Sequence, residues 1–287
     1  MIKTCDQSLI DRALAEDMPR GDLTTDSLVP PDLQARAVLL AKESGILAGL
    51  DLFGLVFRTL DPKTKFRRRI RDGASFRSGD ILADVRGAAG VLLKGERTAL
   101  NFVQRLSGIA TATRAFVEAI DGTRARILDT RKTTPGLRDM EKYAVRMGGG
   151  RNHRRDLSAM VLIKDNHLAI VGSVSGAVQA ARAAVLQRIL IEVEVTTIEQ
   201  AREAAKAGAD WIMLDNMTPS AMRAAVQAVG GRAKLEASGN VRLGNVRRIA
   251  ETGVDFISVG TLTHSVAAID LSLEMEPGVK EGRRWTK

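Results

Sequence analysis

The residues best equipped for chemistry in this 287-residue chain lie between positions 131 and 164, where nine Lys/Arg stand against three acids. That segment carries +6 of a formal net charge of +9, and a cluster of this kind attracts anions. Arg131, Lys132, His153, Arg154 and Lys164 could form one positive wall. Arginine suits planar, bidentate recognition of carboxylates. Glu194 and Asp215 supply an opposite pole that could hold Mg²⁺ or stabilise a developing cation. Ser238-Gly239-Asn240 and Gly260-Thr261 suit phosphate: small residues let backbone N–H groups come close, and a helix N-terminus adds partial positive charge.

Each residue also has a plainer reading. Glu194 could sit in a structural ion pair, but among Ile191, Val193 and Val195 it is an expensive carboxylate to turn inward. Glu192 shares its face, which implies a polar interior. Asp215 ends an apolar run and could equally cap the following turn. Lys164 taken alone reads as a solvated strand end. His153 reads as a loop residue, His264 as a cap on the last helix, and His167 as a satisfied structural histidine. Arg97 reads as a helix-face ion pair, and Arg138, Arg146 and Arg155 as solvated or structural. Gly148-Gly149-Gly150 lacks the Gly-Lys-Ser/Thr ending of a P-loop.

The elements that must position these groups are legible from periodicity. From residue 124 onward, short apolar runs at 125–128, 160–163, 189–195, 211–214, 233–237 and 256–259 alternate with helical patterns such as 198–207 and 220–229. Repeated β-then-α units predict a parallel sheet, here six units in a closed or nearly closed barrel. Every candidate from Arg131 onward then falls at or beyond a strand's C-terminal end, where β/α barrels keep their active sites. The first hundred residues are mixed. A helix over 7–17 is capped by Asp6, 21–25 is a loop, 35–41 and 81–85 are strands, and 49–60 is an apolar helix. Two further helices cover 90–105 and 109–120. The second basic run, 63–71, alternates Lys65, Arg67, Arg69 and Arg71 with Phe66, Arg68 and Ile70, as a strand with one solvated face does.

Composition removes several functional classes. Hydrophobic residues make up 45% of the chain, enough for a large core, but aromatics only 3%. That leaves few platforms for stacking nucleic-acid bases, and no nucleic-acid partner is expected. Cys5 is the only cysteine, which excludes a disulfide framework and a Cys-based zinc site. No apolar run is long enough to span a bilayer, the N-terminus lacks a signal-peptide layout, and a cytoplasmic location is expected. Two other classes stay on the table: duplex binding through 63–71, and aldolase-like chemistry with Lys164 as a Schiff base.

Taken together, the motifs resemble the quinolinate phosphoribosyltransferase (carboxylating nicotinate-nucleotide pyrophosphorylase) family of type II phosphoribosyltransferases. The most specific block is Asp129-Thr130-Arg131-Lys132-Thr133-Thr134-Pro135-Gly136-Leu137-Arg138. It is supported by Gly21-Asp22-Leu23-Thr24-Thr25, Gly95-Glu96-Arg97-Thr98, Asn152-His153-Arg154, Leu162-Ile163-Lys164-Asp165-Asn166-His167, Glu192-Val193-Glu194-Val195, Leu214-Asp215-Asn216-Met217, Leu235-Glu236-Ala237-Ser238-Gly239-Asn240 and Thr263-His264-Ser265. The similarity runs over nearly the whole chain.

The resemblance implies an α/β fold. A smaller N-terminal α/β sandwich, residues 1–107 joined by 270–287, precedes an incomplete β/α barrel over 108–269. It implies a glycosyltransferase that moves phosphoribosyl from phosphoribosyl pyrophosphate to quinolinate with decarboxylation, in NAD biosynthesis and with Mg²⁺. Arg131, His153, Arg154 and Lys164 would hold quinolinate. Lys132, Ser238, Gly239, Asn240, Gly260 and His264 would hold phosphates. Glu194 and Asp215, with Lys132, would be catalytic, and the two acids would place Mg²⁺ directly or through substrate or water. A homodimer is implied, with Arg97 supplied across the interface, which replaces its helix-face reading. A paralogous group linked to molybdenum transport is also similar. Its counterpart of 162–167 typically lacks the lysine, so Lys164 favours the quinolinate enzyme. Arg155-Asp156 and Asn240 depart from the usual family pattern and bear on loop conformation rather than reaction type.

Overall fold

The computed structural model describes residues 7–277. It divides into two compact units. Of the described residues, the first comprises 7–111, 135–148 and 266–277, and the second 112–134 and 149–265. Residues 135–148, grouped with the barrel on sequence grounds, therefore belong to the first unit. The predicted Asp6 cap and residues 278–287 lie outside the described residues. Among those described, no helix is long and apolar enough to cross a membrane.

The first unit is built on a four-stranded sheet in the order β12 (Leu271–Pro277), β1 (Gln34–Ala41), β5 (Ile81–Ala88), β3 (Lys65–Arg68). All its pairings are antiparallel, and a two-stranded ribbon joins β2 (Gly45–Ile46) to β4 (Ser75–Phe76). The predicted helix at 7–17 is α1 (Gln7–Asp17), and the apolar one is α3 (Leu50–Leu60), whose Phe53 and Phe57 are fully buried edge to face at 5.2 Å. The basic run forms only a short edge strand, and two of its arginines have acidic partners. Arg69 binds the fully buried Asp84, which also accepts from Arg36, and Arg68 pairs with Asp51. A carboxylate buried between two guanidinium groups explains an arginine there better than an external ligand does.

Two predictions fail here for identifiable reasons. Residues 21–25 are not a loop: Asp22 caps a short helix, α2 (Leu23–Leu28), accepting from the Thr24 and Thr25 N–H groups at 3.0 and 3.1 Å. The helices expected at 90–105 and 109–120 are one 31-residue helix, α4 (Ala89–Ala119). Gly108 falls inside this helix because packing requires a glycine there: a Cβ would run into the Ala267 carbonyl oxygen. The last helix of this unit is α5 (Arg138–Met147).

The second unit carries the six predicted strands as one parallel sheet. They are β6 (Arg126–Leu128), β7 (Val161–Ile163), β8 (Ile191–Val195), β9 (Trp211–Asp215), β10 (Lys234–Ser238) and β11 (Phe256–Ser258), in the order β6-β11-β10-β9-β8-β7. β6 and β7 are its two edges, so the sheet curls without closing and the barrel is incomplete. Helices α6 (Asp165–Val171), α7 (Val174–Ala184), α8 (Ile198–Ala207), α9 (Pro219–Val229), α10 (Leu243–Ala250) and α11 (Thr261–His264) fill the connections. Several start where the sequence says they should: Ser173, Thr197 and Thr218 each accept a hydrogen bond from an N–H in the first turn. Along β8, Ile191, Val193 and Val195 are buried on one face and Glu192 and Glu194 occupy the other.

Replacing Gly108 with Ala should lower stability by about 1–3 kcal/mol, the usual cost of forcing an extra methyl into packed structure. A urea denaturation midpoint equal to that of the parent chain would show that the Ala267 backbone yields freely.

Candidate active site

The C-terminal ends of the six strands surround a cleft of about 910 Å³ lined entirely by residues of the second unit. Arg131 and Lys132 enter from the segment after β6, Lys164 from the end of β7, and Glu194 from β8. Asp215 ends β9, Ser238 ends β10, and Gly239 and Asn240 follow it. Gly260 follows β11 and His264 closes α11. His153 and Arg154 complete the wall. The cleft thus gathers every predicted site residue except Arg97, an exposed residue of α4 in the first unit.

The cluster at 131–164 does not act as one body. Arg138, Lys142 and Arg146 lie on α5, in the first unit, and none lines the cleft. Arg155 pairs with Asp156 at 3.0 Å. His167 accepts from the Lys164 backbone N–H at 2.9 Å, the structural role expected of it. The three glycines at 148–150 follow α5 and do not line the cleft either.

His153 is not a surface loop residue. Its side chain is only 6% exposed, and Nε2 lies 2.9 Å from Glu192 Oε2 and 3.3 Å from Glu236 Oε2. Asp129 Oδ1 accepts from its backbone N–H at 2.8 Å, and Ser258 Oγ donates to Glu236 Oε1 at 2.6 Å. The ring stands edge-on to Trp211, which stacks on Phe256 at 4.2 Å. Burial works against a charge on this imidazole, but bonding to Glu192 and Glu236 outweighs it and pushes the pKa up to about 10. Burial, reinforced by repulsion from Glu236, raises Glu192 to about 8. The positive wall is therefore anchored from beneath by buried acid. Glu236 was overlooked as a site residue because an isolated Glu within an apolar strand has several structural readings.

On the wall itself, burial and the nearby Arg131 charge lower the pKa of Arg154. Arg154 also donates to the Met160 carbonyl at 3.0 Å. Arg131 Nε is buried and meets no acceptor among the described residues. A buried, unanswered guanidinium N–H beside a second, partly desolvated guanidinium is a strong anion site. At the other end, Thr263 Oγ donates to the Lys132 carbonyl at 2.7 Å, and Gly260 lies beside both His264 and the Lys132 side chain. His264 is exposed in the last turn of α11, with Nδ1 2.6 Å from Ser265 Oγ. Arg242, at the start of α10, also lines the cleft. Nothing in its local sequence had signalled it.

Two acidic groups merit comparison as metal sites. His153, Glu192 and Glu236 are, among the described residues, the group of three whose ligand atoms lie within 4.8 Å of one another. The His153 imidazole is already committed to both carboxylates through Nε2. Glu194 and Asp215 are half-buried and face the cleft from neighbouring strands. Glu194 Oε2 accepts from Lys164 Nζ at 2.6 Å. Two carboxylates with room for substrate oxygens and water fit Mg²⁺, which takes oxygen ligands and keeps part of its hydration shell.

Models of the quinolinate phosphoribosyl transferase N-terminal and C-terminal domains match residues 22–107 and 109–274. The chain belongs to the quinolinate phosphoribosyltransferase family. It is 44% identical over 269 residues to a probable nicotinate-nucleotide pyrophosphorylase [carboxylating] of Bacillus subtilis, covering 94% of this chain and 93% of the relative. It is also 44% identical to the Mycobacterium leprae nicotinate-nucleotide pyrophosphorylase [carboxylating], covering 96% of this chain and all of the relative. Among solved structures, NadC from Streptococcus pyogenes superposes with a TM-score of 0.92 at 43% identity, covering 94% of this chain and 96% of that one. The family's two-domain α/β architecture is thus the architecture of this chain.

Both shifts in the His153 cluster are upward, so folding strengthens proton binding at each group. The Glu192 contribution to stability is complete below 4.5 and lost as pH rises through about 8. That of His153 is complete below 6.5 and lost through about 10. Melting temperature should therefore decline from neutral to alkaline pH, and decline less in Glu236→Gln. Parallel curves for the two proteins would contradict a buried charged cluster.

Proposed function

We propose that this chain is a carboxylating nicotinate-nucleotide pyrophosphorylase, joining quinolinate to phosphoribosyl pyrophosphate to give nicotinate mononucleotide, pyrophosphate and CO₂. Family membership supports the reaction. The observation that best supports the assignment of residues is the buried Arg131 Nε, which has no acceptor and lies close enough to Arg154 to feel its charge. Quinolinate brings two adjacent carboxylates, and a pair of guanidinium groups answers them better than a single cation would. In this reading Arg131, Arg154, Lys164 and His153 hold the dicarboxylate. Lys132, Ser238, Gly239, Asn240, Gly260 and His264 take the phosphates.

The ring nitrogen lone pair forms the new bond to the ribose anomeric carbon, while the bond from that carbon to pyrophosphate breaks and the leaving group keeps the electrons. Positive charge builds at the anomeric carbon, and Glu194 and Asp215 face it with negative charge. Mg²⁺ held by these two carboxylates would offset the charge of the pyrophosphate. Lys132 would neutralise the departing phosphates. Once quaternised, the ring withdraws electrons, so the adjacent carbon–carboxylate bond breaks with its pair left on the ring. CO₂ departs and a proton takes its place. No protein nucleophile is needed; the chain positions and neutralises, and positioning alone can contribute about 7–11 kcal/mol.

The proposal includes a homodimer in which the partner's Arg97 completes the dicarboxylate site. Its support is the resemblance, together with the exposure of Arg97 and its absence from the lining of the cleft. Schiff-base chemistry at Lys164 is disfavoured by its contact with Glu194, which occupies Nζ at 2.6 Å.

Purified protein should release CO₂ from carboxyl-labelled quinolinate only when phosphoribosyl pyrophosphate and Mg²⁺ are both present. A folded protein that releases none rejects the assignment. Glu194→Ala should reduce kcat far more than quinolinate affinity, and Arg154→Ala should do the reverse. Mixing inactive Arg97→Ala with inactive Lys164→Ala should restore roughly a quarter of parent activity, because half the subunit pairs then carry one intact site. Failure of the mixture, with exchange of subunits demonstrated, would place Arg97 outside the site.

A further inference from the structure

Within the described residues, only two non-glycine residues have positive φ, Asn216 at 52° and Asn240 at 51°. Both line the cleft, and they touch: Asn240 Nδ2 donates to Asn216 Oδ1 at 3.1 Å. The other end of the Asn216 amide is also committed, with Nδ2 donating to Asp215 Oδ2 at 2.8 Å. Its backbone N–H donates to the Ser238 carbonyl at 2.9 Å. Between them, Gly239 leaves the space this arrangement needs, since a Cβ there would lie 2.5 Å from Asn216 Cγ. Asn245 extends the chain of contacts, donating from Nδ2 to the Asn240 carbonyl at 3.0 Å and accepting from the Arg242 N–H at 2.8 Å.

Left-handed backbone at a residue other than glycine is strained, and such strain persists only where its surroundings hold it. Here two strained residues hold each other across adjacent strand ends. The contacts run in one direction, from a carboxylate to the loop carrying Ser238 and Gly239. Neither end is a structural ion pair, and the bridge sits on the cleft wall rather than in the core.

We infer that Asn216 is a positioning residue: its side-chain amide couples the Asp215 carboxylate to the 238–240 loop, and so fixes the spacing between the ribose end and the phosphate end of one substrate. This inference rests on the function proposed above, which puts those two ends of phosphoribosyl pyrophosphate at these two places. A turn alone would need only the backbone conformation, which glycine adopts more easily than asparagine. The amide is what glycine lacks.

Asn216→Gly is therefore the informative variant, with Asn240→Gly as its companion. Both keep the left-handed backbone accessible and should melt no lower than the parent. Asn216→Gly should lower kcat/KM for phosphoribosyl pyrophosphate roughly 10- to 100-fold, the scale on which small misplacements act, while quinolinate affinity stays within about two-fold. Asn240→Gly should move the same parameter in the same direction by less, since the bond from Asn216 to Asp215 survives. Parent-like kcat/KM in Asn216→Gly, or an equal loss of quinolinate affinity, would overturn the inference. Amide hydrogen exchange at 238–240, measured without substrates, gives a readout independent of turnover. Exchange should be faster in Asn216→Gly, and unchanged exchange would count against the coupling. If the parent chain fails to turn over quinolinate, the functional reading falls while the exchange result still decides whether Asn216 holds the loop.

Discussion

Cations gathered around one cleft repel each other, and the second unit is organised around keeping them there. Arg131, Lys132, His153, Arg154 and Lys164 all line the same concave surface. Left to themselves they would splay into water, where each is better solvated. The fold counters this with carboxyl groups carried on the strands of the sheet. Glu192 and Glu236 hold His153 from within the sheet, and Glu194 holds Lys164. A parallel sheet serves this purpose because its strand ends lie side by side, so acids from β8 and β10, the two strands flanking β9, can meet one imidazole.

The acids and cations are not equivalent partners. The acids beneath the wall are wholly buried in regular strands, where rotamers are confined and the backbone is held on both sides. Arg131, Lys132 and Lys164 sit just past strand ends, whereas His153 is held among the buried acids. Acids set in the sheet beneath a cationic lining leave net attraction for an anion in the cleft. Arg131 Nε is buried without an acceptor among the described residues.

The six-stranded sheet was legible because alternation of apolar runs with helical patterns is a strong, repeated signal, and the polar residues at strand ends could be read from it directly. Breaks were harder. The gap expected between helices at 90–105 and 109–120 contains Gly108, yet that glycine answers the distant Ala267 carbonyl, a constraint invisible to local pattern. The net charge at 131–164 was real but misleading as a single feature, because α5 carries Arg138, Lys142 and Arg146 into the other unit. Motif resemblance pointed to residues that line the cleft. It did not single out Glu236, Arg242 or Asn216, whose importance lies in what they hold or where the fold delivers them.

Asn216 shows why that second class is hard to see in a sequence. Its relevance depends on three facts that no local window contains: a left-handed backbone, a neighbouring strand that ends at the same height, and a glycine on that strand that leaves room. The same holds for Glu236, which matters because β10 is flanked by β9 and β11 and because Ser258 reaches it from the latter. Residues that bind a ligand are selected for charge and shape, so their types announce them. Residues that position others are selected for distance, and distance exists only once the strands are laid side by side. A site that works chiefly by orientation must therefore keep much of its machinery in groups whose chemistry looks ordinary.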